Sequence, residues 1–190
     1  NLALIDFAQD YLESRGARCR RTVNPEGTKA NLFASFGPEA PGGVVLSGHS
    51  DVVPVDGQDW SVDPFHALRR DERIYGRGSA DMKGFLACVL AMVPDFKRRK
   101  LKVPLHIVFS YDEEVGCTGV RPMITELGDR LMKPRAVIVG EPTSMDVVDG
   151  HKGPVRWAVE ITGRAAHSSM AHLGVNAISV AGRLIGELGA

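Results

Sequence analysis

The stretch GGVVLSGHSD (42–51) carries the features that decide both the fold and the candidate site. Two glycines introduce a short apolar run, a pattern typical of a buried β-strand. His49 and Asp51 follow that run directly and stand two positions apart. Such a pair is either turn chemistry at the end of a strand or half of a metal site, and the pair alone does not distinguish the two.

Short apolar segments alternate with helical patterns along most of the chain. The predicted strands are 30–37, 42–48, 103–111 and 134–140, and the predicted helices are 1–16, 84–100 and 119–131. Several of these strands are apolar throughout, as strands are when both faces of a sheet are buried. The sequence therefore predicts an α/β fold in which helices flank a central sheet.

The pattern changes after Gly150. Segment 154–163 alternates apolar and polar residues, which favours a strand with one wet face, and 174–190 favours a helix. We expect a domain boundary at about Gly150–Gly153, so that 1–152 and 153–190 belong to different domains. One strand and one helix are too little to bury a core, and we therefore expect the second domain to be truncated at its last residue.

Charge and cysteine content exclude several classes of protein. The 190 residues carry 23 basic and 23 acidic side chains, a balance that gives no general attraction to nucleic acid or to an anionic membrane. No apolar stretch reaches the roughly 20 residues that span a bilayer, and the opening segment lacks the basic region of a signal peptide. Three cysteines without a CxxC spacing favour a reducing, cytoplasmic setting over a disulfide framework.

Polar side chains follow three of the predicted strands. His49 and Asp51 follow the strand at 42–48, the acidic run Asp112–Glu114 follows 103–111, and Glu141 follows 134–140. In open α/β sheets, ligands bind beyond the carboxyl ends of the strands. If the three strands are adjacent and parallel, these side chains meet at one edge of the sheet.

A cation would explain why so many carboxylates gather, because like charges repel one another unless a positive charge lies between them. Asp81, just before the helix at 84–100, is a further candidate. Histidine nitrogen and carboxylate oxygen suit Zn²⁺. Asp51 projects to the same side as His49 in an extended segment, where its carboxylate would accept a hydrogen bond from the second ring nitrogen. If their segment is extended, Glu113 and Glu114 point in different directions, so that one can bind metal while the other faces a substrate or a water.

Each of these residues also has a common structural role. An HxD pair is often a turn, Asp81 could be a helix N-cap, the acidic run could be a solvated loop, and Glu141 could be a turn residue before Pro142. Their joint position at strand ends favours a metal site. A non-catalytic metal-binding module and a plain α/β domain with acidic loops remain the alternatives. The sequence lacks HExxH, GxSxG and GxxxxGK[ST], which excludes the sites that those motifs form.

Five motifs resemble one known family. They are GHSDVVPVDGQDWSVDPF (48–65), IYGRGSADMKGF (74–85), YDEEVGCTGV (111–120), VGEPT (139–143) and AAHSS (165–169). They occur in this order in the co-catalytic zinc amidohydrolases and metallopeptidases, which the chain resembles over nearly its whole length. The resemblance implies a zinc-peptidase-like mixed sheet flanked by helices, followed by the start of a smaller α+β lid or dimerisation domain that forms a homodimer.

The resemblance also implies a pair of Zn²⁺ ions, for which Co²⁺ can substitute. By position, His49 and Glu141 would bind one zinc, Glu114 would bind the other, and Asp81 would bridge them. Family members often have a cis peptide after the bridging aspartate, here Asp81–Met82. Their second zinc takes a further histidine from later in a longer chain, and no histidine follows His172 here. The 190 residues are thus not expected to complete that site.

The catalytic roles come from the same resemblance. Asp51 would support His49, Glu113 would be the general base, and His167 would reach a substrate carbonyl across a dimer interface. The implied reaction removes an acyl group from an N-acyl amino acid. The substrate that the resemblance favours is N2-acetylornithine, in arginine biosynthesis. A desuccinylase, a related carboxypeptidase or aminoacylase, and an inactive fragment are the alternatives.

Overall fold

The protein is described by a computed structural model that covers residues 1–153 and 155–189. The chain divides into two compact units, Asn1–Val147 and Val148–Ala190.

The first unit contains a central five-stranded sheet, a separate two-stranded sheet and three helices. The strands are β1 (Arg18–Val23), β2 (Ala30–Phe36), β3 (Val44–His49), β4 (Leu68–Arg70), β5 (Arg73–Tyr75), β6 (Leu105–Ser110) and β7 (Ala136–Val139), and the helices are α1 (Leu2–Glu13), α2 (Lys83–Arg98) and α3 (Arg121–Thr125). The predicted fold class, a mixed α/β sheet flanked by helices, is confirmed. In the described part of the chain, no helix is long and apolar enough to cross a membrane.

The order of strands in the central sheet is β1-β2-β6-β3-β7, and β4 pairs only with β5. Strand β3 lies between β6 and β7 and is parallel to both, while β2 is antiparallel to β6. The register places His49 beside Ser110, and Ser47 beside Val139. The carboxyl ends of β6, β3 and β7 therefore lie at the same edge of the sheet, as the sequence predicts.

Apolar packing covers both faces of this sheet. On one face, Leu12 of α1 and Val93 of α2 are fully buried against Ile107 and other sheet residues. On the opposite face, Met123 of α3 packs with Val108 and its neighbours. Packing on both faces therefore fixes the position of the sheet and of its strand ends.

Two strand regions are not predicted from the sequence. Strand β1 has the sequence RCRRTV, and its arginines pair with acids, for example Arg20 with Glu126 and Arg21 with Asp6. An edge strand of this kind lacks the apolar alternation by which strands are predicted. The β4–β5 hairpin is short and exposed. Conversely, the helix predicted at 119–131 is reduced to α3, because the chain turns at Gly128, where φ is +91°.

The second unit differs from its prediction in one element. The strand predicted at 154–163 is wrong: residues 155–163 form no strand, and the following residue, Arg164, makes an isolated antiparallel bridge with Val175. Pro154 lies outside the described residues. An alternating pattern specifies a strand only where a partner is available to pair with it. The predicted helix forms as α4 (Ala177–Leu188), because the Asn176 side chain accepts hydrogen bonds from the backbone N–H groups of the first turn.

The glycine pair before β3 gives a stability prediction. Gly42 and Gly43 have φ of 91° and 87°. A Cβ on Gly43 would lie 2.2 Å from the carbonyl oxygen of Pro104, whereas a Cβ on Gly42 would meet no described atom within 4 Å. Gly43→Ala should therefore lower the free energy of unfolding by about 3 kcal/mol, and Gly42→Ala, which adds backbone strain alone, by about 1–2 kcal/mol.

Urea unfolding of the two alanine variants measures this difference. Each variant is the control for the other, since both replace a glycine with positive φ. Equal losses in the two variants would contradict the close approach between Gly43 and Pro104.

Candidate metal centre

His49, the last residue of β3, is the centre of the candidate site. Its side chain is 1% exposed, and its Nε2 atom lies 3.0 Å from Asp81 Oδ1, 3.8 Å from Glu141 Oε1 and 4.0 Å from Glu113 Oε2. The acidic side chains are 36–50% exposed. A buried imidazole nitrogen thus faces several carboxylates that remain open to solvent.

The sheet and one helix bring these acids together. Glu113 and Glu114 follow β6, and Glu141 follows β7, whose pairing with β3 continues through a hydrogen bond from the Gly140 N–H to the Ser47 carbonyl. Asp81 precedes α2 and is joined to buried Met82 by a cis peptide bond. This confirms the cis peptide that the family resemblance implies.

Among the residues that the structure describes, two groups of side chains have the spacing of metal ligands. His49, Asp81 and Glu141 form one group, and His49, Glu113 and Glu114 form the other. Each residue offers one ligand atom, and in each group these atoms lie within 4.8 Å of one another. Glu113 and Glu114 both belong to the second group, so the carboxylate of either residue is close enough to bind a metal beside His49. His49 is common to the two groups.

The donor chemistry of the two groups fits zinc, which takes histidine nitrogen and carboxylate oxygen. Burial raises the pKa of Glu114, and the charge of Asp81 raises it further. Burial likewise raises the pKa of Glu141, with the charge of Asp81 adding to the effect and His49 opposing it. Glu114 and Glu141 therefore resist ionisation without a cation, and a divalent ion would stabilise their charged forms.

Asp51 links the ends of β3 and β6. The Nδ1 atom of His49 lies 3.1 Å from the main-chain carbonyl of Asp51 and 3.5 Å from its Oδ1 atom. The other carboxylate oxygen, Oδ2, accepts a hydrogen bond of 3.1 Å from the Glu114 N–H. The sequence predicts that the carboxylate holds the imidazole, but the carbonyl makes the hydrogen bond, because the carboxylate is turned toward Glu114. With Nδ1–H donating to that carbonyl, Nε2, which lies beside Asp81, is the nitrogen left to bind a metal.

The electrostatic environment of His49 is dominated by its acidic neighbours. Burial acts to lower the pKa of the imidazole, but the hydrogen bond to Asp81 and the charges of Asp51 and Glu141 outweigh it and raise the pKa. The same negative surroundings that favour a proton on this imidazole favour a metal cation beside it.

The chain is similar to known proteins over most of its length. Residues 45–188 match the model of peptidase family M20/M25/M40. The chain belongs to this family. The acetylornithine deacetylase of Edwardsiella ictaluri (strain 93-146) is 39% identical over 189 residues, which cover 99% of this chain and 48% of the relative. The chain spans about half the length of the curated relatives it matches.

Solved structures agree with this family assignment. Human carnosine dipeptidase 1 has a TM-score of 0.61 at 25% identity, over 72% of this chain and 32% of its own. The M20 family metallo-carboxypeptidase Sso-CP2 of Sulfolobus solfataricus has a TM-score of 0.60 at 25% identity, over 71% of this chain and 31% of its own. The family to which the sequence motifs pointed is therefore confirmed.

In this M20/M25/M40 family member, His167 belongs to the second unit. It precedes a 3-10 helix, Ser168–Leu173, and its Nδ1 atom accepts a hydrogen bond of 3.3 Å from the Ser169 N–H. The neutral imidazole then carries its proton on Nε2. The ring is exposed, and the hydrogen bond from the Ser169 N–H orients it.

Two residues that hold the acidic loop after β6 are not predicted from the sequence. Lys29 Nζ lies 2.6 Å from Asp112 Oδ1, and the Asn31 side chain donates a hydrogen bond of 2.8 Å to the Gly119 carbonyl. Lys29 immediately precedes β2 and Asn31 is the second residue of that strand, so the loop between these two contacts, which carries Glu113, is fixed at either end. Only the pairing of β2 with β6 brings these residues near the loop, and no local motif marks them.

Proposed function

We propose that the full-length protein is a zinc-dependent amidohydrolase that removes the acyl group from an N-acyl amino acid, and that N2-acetylornithine is its preferred substrate. The observation that carries the proposal is the position of the His49 Nε2 atom, within 4.0 Å of carboxylate oxygens of Asp81, Glu113 and Glu141. Membership of the peptidase family and the names of the curated relatives support the reaction class and the substrate.

The proposed metal complement is two Zn²⁺ ions, with Co²⁺ as a substitute. His49 and Glu141 are assigned to one ion, Glu114 to the other, and Asp81 to a position between them. The grouping of His49, Asp81 and Glu141 supports the first assignment. When bound, zinc polarises the amide carbonyl and lowers the pKa of a water molecule, so that a modest base is sufficient.

Glu113 is proposed as that base. Its carboxylate takes a proton from the attacking water and later passes it to the departing amine nitrogen. The side chain is 37% exposed, and its Oε2 atom faces His49. It is therefore accessible to a water and to a substrate at the edge of the sheet.

His167 is proposed to stabilise the oxyanion that forms when the amide carbon becomes tetrahedral. The hydrogen bond that Nδ1 accepts from the Ser169 N–H supports Nε2–H as the donor. By the family resemblance, this histidine acts across the interface of a homodimer. We accordingly propose residues 1–152 as part of the catalytic domain and 153–190 as the start of a lid and dimerisation domain, in a cytoplasmic enzyme of arginine biosynthesis.

The test is amine release by the full-length, zinc-loaded protein from a panel of N2-acetylornithine, N-succinyl-diaminopimelate and a dipeptide. We expect the acetyl substrate to have the highest kcat/KM, and a chelator to abolish turnover. A preference for the succinyl compound or the dipeptide would overturn the substrate but not the reaction class. Stoichiometric zinc without turnover of any panel member would indicate a non-catalytic metal-binding module.

Asp51 gives a prediction for metal affinity. Asp51→Asn removes a negative charge beside His49 and disturbs the contact of Oδ2 with the Glu114 N–H. Its Oδ1 atom is buried and has no hydrogen-bond partner among the described residues. We expect zinc to bind about tenfold to a hundredfold more weakly, the usual effect of losing a residue that supports a metal ligand.

Competition with a chelator measures this loss in the full-length protein. Asp56→Asn, at an exposed position of the following loop, is the matched control and should bind zinc as the unchanged protein does. Equal affinities in the two variants would show that Asp51 does not support the metal centre.

A further inference from the structure

Cys117 lies in the loop that carries Glu113. The backbone N–H groups of Gly116 and Cys117 both donate to the Glu113 carbonyl, at 2.9 Å each. Cys117 has a φ of +55°, in the left-handed region that L-residues seldom adopt, and Gly116 has a φ of +100°. This tight turn folds the loop back on Glu113.

The side chains of the two residues are also in contact. The Cys117 Sγ atom donates a hydrogen bond of 3.3 Å to Glu113 Oε1. The other oxygen of the same carboxylate, Oε2, lies 4.0 Å from His49 Nε2. The two oxygens of Glu113 therefore have different surroundings: one faces the thiol, and the other faces the metal centre.

The thiol is suited to act as the donor. Cys117 is exposed as a residue, but partial burial of its thiol raises the pKa, and the hydrogen bond to Glu113 raises it further. Since an ionised carboxylate only accepts hydrogen bonds, the proton lies on sulfur. Neither ligand group among the described residues includes Cys117, and the hydrogen bond that its thiol makes goes to Glu113.

We infer that Cys117 is a positioning residue for Glu113: its S–H group holds Oε1 and thereby directs Oε2 toward His49. The inference rests on the proposed function, in which Glu113 is the base. A carboxylate held at one oxygen presents the other in a fixed orientation, which is what efficient proton transfer requires.

Steady-state kinetics of the full-length, zinc-loaded protein tests the role. We expect Cys117→Ala to lower kcat about fivefold, the effect of one hydrogen bond, and to leave KM and bound zinc unchanged. Cys117→Ser retains a donor and should recover most of kcat. Cys88→Ala, at an exposed cysteine of α2, is the control and should match the unchanged protein.

Two kinetic outcomes would overturn the inference. One is a kcat for Cys117→Ala within twofold of the unchanged protein. The other is a loss of kcat together with bound zinc that serine does not rescue, which would indicate a structural role for the residue.

A second measurement does not depend on activity. Iodoacetamide alkylates the thiolate form of a cysteine, and peptide mapping separates Cys117 from Cys88. In the full-length protein, Glu113→Gln should accelerate alkylation of Cys117 several-fold, because the negative charge beside the thiol is lost, and should leave Cys88 unchanged. An unchanged rate at Cys117 would overturn the contact, and this holds even if no panel substrate is hydrolysed, so failure of the inference and failure of the proposed function are distinguishable.

Discussion

Glu113→Gln in the full-length protein is expected to keep its zinc and to lose about 10²- to 10⁴-fold in kcat, the range that general acid–base groups contribute. Glutamine has the same shape as glutamate but cannot take a proton from water at neutral pH. The ligand assignment to His49, Asp81, Glu114 and Glu141 leaves Glu113 outside the metal shell, so the number of zinc ions per chain should not change.

Metal analysis and steady-state kinetics on the same preparation make this test decisive, because the geometry allows a second role. Glu113 and Glu114 belong to the same group of possible ligands. If Glu113→Gln loses zinc together with activity, Glu113 is a ligand and the base must be sought elsewhere. A near-normal kcat would remove Glu113 from the mechanism. Glu72→Gln, in the exposed turn between β4 and β5, is the matched control and should change neither quantity.

His49→Ala should have the largest effect on metal content. Both ligand groups use His49, so a single substitution weakens both. We expect zinc affinity to fall by more than about a hundredfold, beyond the effect of losing a supporting residue, and turnover to fall below detection. Zinc per chain after dialysis, together with kcat, measures the effect. Unchanged zinc content would refute the ligand assignment.

Folding has to be controlled in this experiment, because His49 is buried at the end of a core strand. His49→Gln fills most of the imidazole volume and should also lose zinc, which separates loss of a ligand from loss of packing. His66→Ala replaces an exposed histidine and should retain both zinc and activity. If His49→Gln binds zinc normally while His49→Ala does not, the defect is one of packing.

The sequence predicts those site residues whose positions follow from the ends of the strands. His49, Glu113 and Glu141 each follow an apolar run, and the parallel pairing of β3 with β6 and β7 brings them together. Side-chain orientation is not predictable in this way. Asp112 belongs to the same acidic run as Glu113, but its φ of +56° and its contact with Lys29 turn it toward β2.

The errors in strand prediction have a common physical cause. Whether a segment forms a strand depends on pairing partners that are distant in the chain, and the local sequence pattern does not show them. The alternation at 154–163 predicts a strand, yet the exposed side chains of Val155, Trp157 and Val159 have no described strand beside them to pair with. Strand β1 shows the converse. Its arginine-rich sequence has little strand character, but pairing with β2 and ion pairs to Glu126 and Asp6 stabilise it.

The separate β4–β5 sheet is a region in which the length of the chain can change during evolution. This hairpin contributes no residue to either described ligand group and does not pair with the central sheet. Its turn, at Asp71 and Glu72, is exposed. Insertions or deletions at that turn would change the outer contour of the molecule without shifting the register that positions the metal ligands. The hairpin is thus a place where evolution, or an engineer, can alter length while the chemistry is preserved.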